Sequence, residues 1–126
     1  MREYAGKTIY IGIDVHKKTY FISAICDGSV IKKCSLTADP SGFISFCRKQ
    51  FPDAFIISAY EAGFSGFDLH WQLEKEENFR SLVVHPASIE VAARPRNKTD
   101  KRDSLKIATQ LATGRLQSIH IPAPER

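Results

Sequence analysis

Apolar and polar positions alternate in blocks along the chain, and the block lengths predict an α/β domain. Thr8–Asp14, Thr19–Cys26 and Ser29–Leu36 read as three successive strands, the last two joined by the two-residue turn Asp27-Gly28. Asp39-Pro40 opens a helix with an acidic cap and a proline in its first turn. Along it Phe43, Phe46, Cys47 and Phe51 recur at roughly helical spacing. Pro52-Asp53 ends that segment, and Phe55–Tyr60 follows as an apolar strand of the kind buried on both faces. Phe64–Lys75 reads as a second amphipathic helix, with Phe64, Phe67 and Trp71 on its apolar side. Ser81–Val84 is a fifth strand, stopped by His85-Pro86. In Ala87–Lys98, Ile89, Val91 and Ala92 suit a short helix, whereas Arg94-Pro95-Arg96-Asn97 suits a loop. A third helix runs from Thr99/Asp100 to about Gly114, with Leu105, Ala108, Leu111 and Ala112 as its apolar side.

Three strands, helix, strand, helix, strand, helix is the element order of a ribonuclease H-like α/β fold, a mixed five-stranded sheet with flanking helices. At 126 residues the chain is expected to form one domain over 1–118. Pro122 and Pro124 mark 119–126 as the start of a linker. No run approaches the ~20 apolar residues of a membrane span, and no signal-peptide pattern opens the chain. Cys26, Cys34 and Cys47 show no metal spacing. Hairpin counting from Asp27-Gly28 pairs Cys26 with Ser29 and Cys34 with Phe21, which leaves Cys26 and Cys34 too far apart for a disulfide. Unpaired thiols fit a reducing, cytoplasmic setting.

The net charge is only +4, so its distribution matters more than its sum. Between Val91 and Arg115 seven bases face two acids, an excess that suits a phosphate-contacting surface or a solvated helix face. Arg94, Arg96, Lys98, Lys101 and Arg102 are the candidate nucleic-acid contacts within it.

Four acids stand out against this background. Asp14 and Glu61 each end an apolar strand, with Gly12 and Ala59 two positions back as small neighbours. A glycine there leaves open space beside the carboxylate for a metal or a phosphate. Asp100 and Asp103 lie three apart in the basic segment, on one side of a helix. Each has a plainer reading too. Asp14 suits a turn, Glu61 a solvated strand end, and Asp100 with Asp103 a helix cap complementing the macrodipole. Brought together, four carboxylates would repel unless a divalent cation neutralised them. Oxygen-only ligands point to two Mg²⁺ or Mn²⁺ ions rather than zinc, in a site suited to in-line displacement at phosphorus. His16, His70, His85 and His120 have no zinc spacing, and only His16 lies near the site.

Gly12-Ile13-Asp14-Val15-His16-Lys17, Tyr60-Glu61-Ala62-Gly63 with Gly66, Val83-Val84-His85-Pro86, and Lys98-Thr99-Asp100-Lys101-Arg102-Asp103-Ser104 together resemble a known family. It is the N-terminal domain of DEDD-type insertion-sequence transposases, a family that also includes pilin-gene-inverting site-specific recombinases. The similarity runs from about Ile9 to Pro122. The resemblance implies a RuvC-like fold with Asp14, Glu61, Asp100 and Asp103 as a metal-binding catalytic quartet. It also implies DNA strand cleavage and exchange in an oligomeric assembly guided by a structured RNA. Family members carry a C-terminal domain with a helical spacer and a serine nucleophile, to which residues 119–126 would lead. Three other functions compete. A stand-alone junction-resolving endonuclease of the same fold would cleave branched DNA unaided. A sugar-kinase or actin-like ATPase half-domain also ends its first strand in Gly-Ile-Asp, but needs a glycine-rich phosphate turn that Val15–Thr19 lacks. A non-catalytic nucleic-acid-binding module would need neither Asp14 nor Glu61.

Overall fold

The computed structural model describes residues 4–63, 67–84 and 100–114, with side chains in the last stretch from Ser104 onward. Five strands, β1 (Thr8–Val15), β2 (Thr19–Cys26), β3 (Ser29–Thr37), β4 (Phe55–Glu61) and β5 (Phe79–Val84), form one sheet in the order β3-β2-β1-β4-β5. The first three are antiparallel neighbours, and β4 and β5 add parallel to β1. The expected mixed five-stranded sheet is therefore present. Among the described residues three helices flank it: α1 (Pro40–Gln50), α2 (Asp68–Glu74) and α3 (Asp100–Ala112).

Period-two alternation sorts the strand residues onto two faces. One carries Ile9, Ile11, Ile13, Tyr20, Ile22, Ala24, Ile56, Tyr60 and Val83, which pack with Phe43, Cys47 and Phe51 of α1 and its cap and with Leu69 and Leu73 of α2. α1 begins as expected: Asp39 is its N-cap, accepting a hydrogen bond from the Gly42 N–H at 3.1 Å, with Pro40 directly behind. The apolar side of α2 differs from expectation. Leu69 and Leu73 are the buried pair, while Phe67 and Trp71 stack edge-on with centroids 6.1 Å apart and remain half-buried. Aromatic bulk marks the wrong stripe, because two leucines fill the narrow space under a seven-residue helix. Phe64 lies outside the described residues. β4 is less enclosed than its composition suggests, since Phe55 at its start is 48% exposed.

The β2–β3 hairpin corrects one register. Asp27 and Gly28 both have positive φ, as a tight two-residue turn requires, and Cys26 pairs with Ser29. A bulge follows: Ile25 pairs with Val30, but Ala24 pairs with Lys32, so Cys34 lies opposite Ile22 and not Phe21. The physical reason is visible in the sequence. Ile31, Cys34 and Leu36 cannot share a face at strict period two, and one extra residue lets all three turn toward the core. All three cysteines are free thiols. Burial drives the Cys47 thiol far above its ordinary pKa and keeps it protonated.

The expected structure of Ala87–Lys98, the His85-Pro86 stop and the linker at 119–126 fall outside the described residues. No described helix is long and apolar enough to cross a membrane.

Candidate active site at the strand ends

The second face of the sheet carries Tyr10, Gly12 and Asp14 on β1, Ser23 on β2, and Ile57, Ala59 and Glu61 on β4. α3 covers it. Its buried residues are Ser104, Ile107, Ala108, Gln110 and Leu111, whereas Leu105 and Ala112 are only half-buried. Ile107 and Leu111 cluster with Ala59 and Val84, and Tyr10, Ile57 and Leu82 pack at the margin. The sequence pattern alone misses Ser104 and Ile107, because a serine in a charged segment gives no sign of facing a core.

Gly12 explains how close this helix comes. A methyl group added there would overlap the Ser104 carbonyl oxygen and the Ala108 amide nitrogen, and would lie 2.9 Å from the Ile107 Cβ. The space beside Asp14 that the sequence offers to a metal or phosphate is thus filled by helix backbone. The glycine admits α3, not a ligand. Ser23 and Ala59, the partners of Gly12 on β2 and β4, extend the same shallow trough. At its bottom the Ser23 and Ser104 hydroxyls share a buried hydrogen bond of 2.8 Å.

Asp14 and Glu61 stand at matched positions. The β1–β4 ladder runs as far as Ile13 opposite Tyr60, and the next residue on each parallel strand is the acid. Both carboxylates therefore leave the sheet at its carboxyl end on the α3 face. They open on one cleft of roughly 210 Å³, lined also by Ile13, Val15, Ala62, Gly63 and Ile107. Two local devices hold these ends. The Ala62 N–H donates to the Val84 carbonyl at 2.9 Å and prolongs the β4–β5 pairing past Glu61. Tyr60, fully buried, accepts from the His70 N–H at 3.3 Å and ties β4 to α2. Burial pushes the Tyr60 phenol up to about 12.

His16 turns back on Asp14, its Nε2 3.2 Å from the Asp14 Oδ2, and sets its ring edge-on to Phe21 with centroids 5.4 Å apart. The Asp14 side chain is 18% exposed and that of His16 is 42% exposed, so the acid sits inside and the imidazole at the rim. The His16 N–H donates to the Thr19 carbonyl at 2.9 Å, which closes the β1–β2 turn.

The α3 backbone begins at Asp100, but the side chains of Asp100, Lys101, Arg102 and Asp103 lie outside the described residues, as do Arg94, Arg96 and Lys98. Two of the four expected acids are thus seen to share a cleft. Among the described residues no three His, Cys, Asp or Glu side chains form a metal-binding group. The direction of α3 bears on the other two acids. Ser104 meets Ser23 of β2, Ile107 lines the carboxylate cleft, and Leu111, a turn later, clusters with Ala59 and Val84, so α3 crosses the sheet from β2 toward β4 and β5.

This architecture is that of a RuvC-like domain. Superposed on T. thermophilus RuvC, solved in complex with a Holliday junction substrate, it gives a TM-score of 0.58 over 89% of this chain and 99% of that one, at 12% identity. Residues 11–125 match the model of the IS110-type DEDD family, described as transposase, and the chain belongs to that family. It is 28% identical over 113 residues to the transposase for insertion sequence element IS1533 of Leptospira borgpetersenii. That match covers 87% of this chain and 32% of the relative, so the chain spans about a third of its relative's length.

Proposed function

We propose that this chain is the catalytic domain of a DNA transposase and carries out metal-dependent strand cleavage and exchange. Asp14, Glu61, Asp100 and Asp103 are its metal-binding and catalytic residues. The observation that carries the reading is the matched exit of Asp14 and Glu61 from adjacent parallel strands into one cleft. Helical spacing supports the rest: counting back from Ser104, Ile107 and Ala108 by threes and fours reaches Asp103 and Asp100.

The donor set fits Mg²⁺ or Mn²⁺, which take carboxylate oxygens and keep open positions, and two such ions suit four carboxylates. When bound, the cations supply Lewis-acid stabilisation of charge on the oxygens of a phosphodiester. The chain's own groups do the remaining work. Asp14 and Glu61 are fixed on strands and not on mobile loops, which holds their oxygens in place before substrate arrives. Ile107 covers the helix side of the cleft with apolar surface and limits water around the acids. His16 buttresses Asp14 from the rim. Lys98, Lys101, Arg102, Arg94 and Arg96 contact the DNA backbone, which orients the scissile strand without reading its sequence.

In the longer protein this domain acts with a C-terminal domain beyond residues 119–126, in a cytoplasmic homo-oligomer guided by a structured RNA. Family resemblance supports those partners. The likeness to a junction-bound RuvC supports branched DNA as a substrate form, which keeps a junction-resolving activity as the second reading.

Calorimetric titration of Mn²⁺ into the wild-type chain, Asp14→Ala and Glu61→Ala is the direct test. Each alanine variant should bind at least tenfold more weakly, with DNA present or absent. Equal affinity in all three proteins, or no binding in any of them with DNA present, overturns the reading.

A further inference from the structure

α3 rests on a trough made of small residues. Ser23, Gly12 and Ala59 lie in one row across β2, β1 and β4, and the helix meets Gly12 with its own backbone. Such contact gives close approach but little directional information, because dispersion between smooth surfaces changes slowly as one slides over the other. A buried hydrogen bond is directional. The Ser23 and Ser104 hydroxyls, both fully buried and 81 residues apart in the chain, meet at 2.8 Å in this interface. Ser104 directly follows Asp103 and lies about one turn beyond Asp100.

We infer that Ser23 and Ser104 are a positioning pair: their bond fixes where α3 sits along the sheet, and so delivers its acidic first turn to the Asp14–Glu61 cleft. The inference rests on the metal-site reading above. A slip of one residue along the helix axis displaces everything on it by ~1.5 Å. Metal–ligand distances tolerate only ~0.2 Å. A helix that keeps its packing but loses its axial anchor would therefore still fold and yet miss the site. Gly12 and the serine pair have complementary roles: the glycine sets the depth of α3, and the hydroxyls set its longitude.

The test uses the 126-residue chain with Ser23→Ala, Ser104→Ala, the double variant, and Asp14→Ala as control. Mn²⁺ alone is the probe. Calorimetry reads its affinity, thermal melting without metal reads the fold, and amide hydrogen exchange reads α3 against α1. Each serine variant should bind Mn²⁺ at least fivefold more weakly, with the melting midpoint lowered by only a few degrees. The double variant should be no more than twofold weaker than either single one, since both remove the same bond. Exchange should quicken in α3 and stay unchanged in α1. A purely structural role would lower the midpoint and leave the affinity of the folded protein alone. Wild-type Mn²⁺ affinity in the serine variants, beside lost binding in Asp14→Ala, overturns the positioning role and spares the metal site. If Asp14→Ala binds like wild type, the metal reading has failed. Exchange then decides the anchoring of α3, and unchanged exchange there overturns it as well.

Discussion

The two faces of the sheet are packed by opposite means. Under α1 and α2 the strands present Ile9, Ile11, Ile13, Ile22, Tyr20 and Tyr60, large side chains that interlock with Phe43, Cys47 and Leu73. Under α3 they present Gly12, Ser23 and Ala59, and the helix comes down almost to the backbone. The first face supplies most of the apolar burial that holds the fold. The second gives up bulk to bring a helix close to strand-end carboxylates. Stability and the candidate site are thus assigned to different sides of one sheet, and substitutions should separate them.

The largest effect is expected on the bulky face. Phe43→Ala should cost ~3–5 kcal/mol of unfolding free energy by denaturant titration, as for other buried phenylalanines, while the molecules that remain folded bind Mn²⁺ normally. Loss of metal affinity in the folded fraction would show the two faces to be coupled. Gly12→Ala should cost less stability, about 1–3 kcal/mol as an overpacking change, yet should damage Mn²⁺ binding far more, because α3 must lift to clear the methyl. If it melts lower but binds normally, the division between the faces fails. Asp39→Ala, at the α1 cap on the bulky side, should cost ~1 kcal/mol and leave metal affinity unaltered. The smallest effect concerns alkaline pH. Burial raises both Tyr20 and Tyr60 to about 12, above the ordinary phenol value of 10.0. The native state therefore holds these protons where the unfolded chain releases them. Their contribution is intact below pH ~10 and is lost as pH climbs toward ~12. Stability measured between those values should fall more gently in Tyr60→Phe than in wild type, and an unchanged slope would contradict the assignment.

Much of the fold is legible in the residues. Alternation, the Asp27-Gly28 turn and the Asp39-Pro40 cap each encode a local geometry, and the ends of the apolar runs put Asp14 and Glu61 at one end of the sheet. What escapes is long-range. Nothing local shows that Gly12 lies under residues 104–108, and a missing side chain that suggests room for a ligand is in fact room for a helix. Ser23 and Ser104 carry no local signal of being partners. The buried stripe of α2 is hidden by aromatic neighbours more conspicuous than Leu69 and Leu73. The bulge in β3 does leave a trace, since Ile31, Cys34 and Leu36 break strict alternation by one residue.

That bulge has a bearing on how copies of the chain meet. β3 is an outer strand of the sheet, and the consecutive Lys32 and Lys33, both exposed, lie beside the point where the pairing register shifts. A neighbouring molecule seeking to add a strand there would face two ammonium groups and an irregular ladder. Sheet-to-sheet accretion is discouraged at this border, and any higher-order assembly built from the domain must be sought on its helices, its strand termini or the opposite margin.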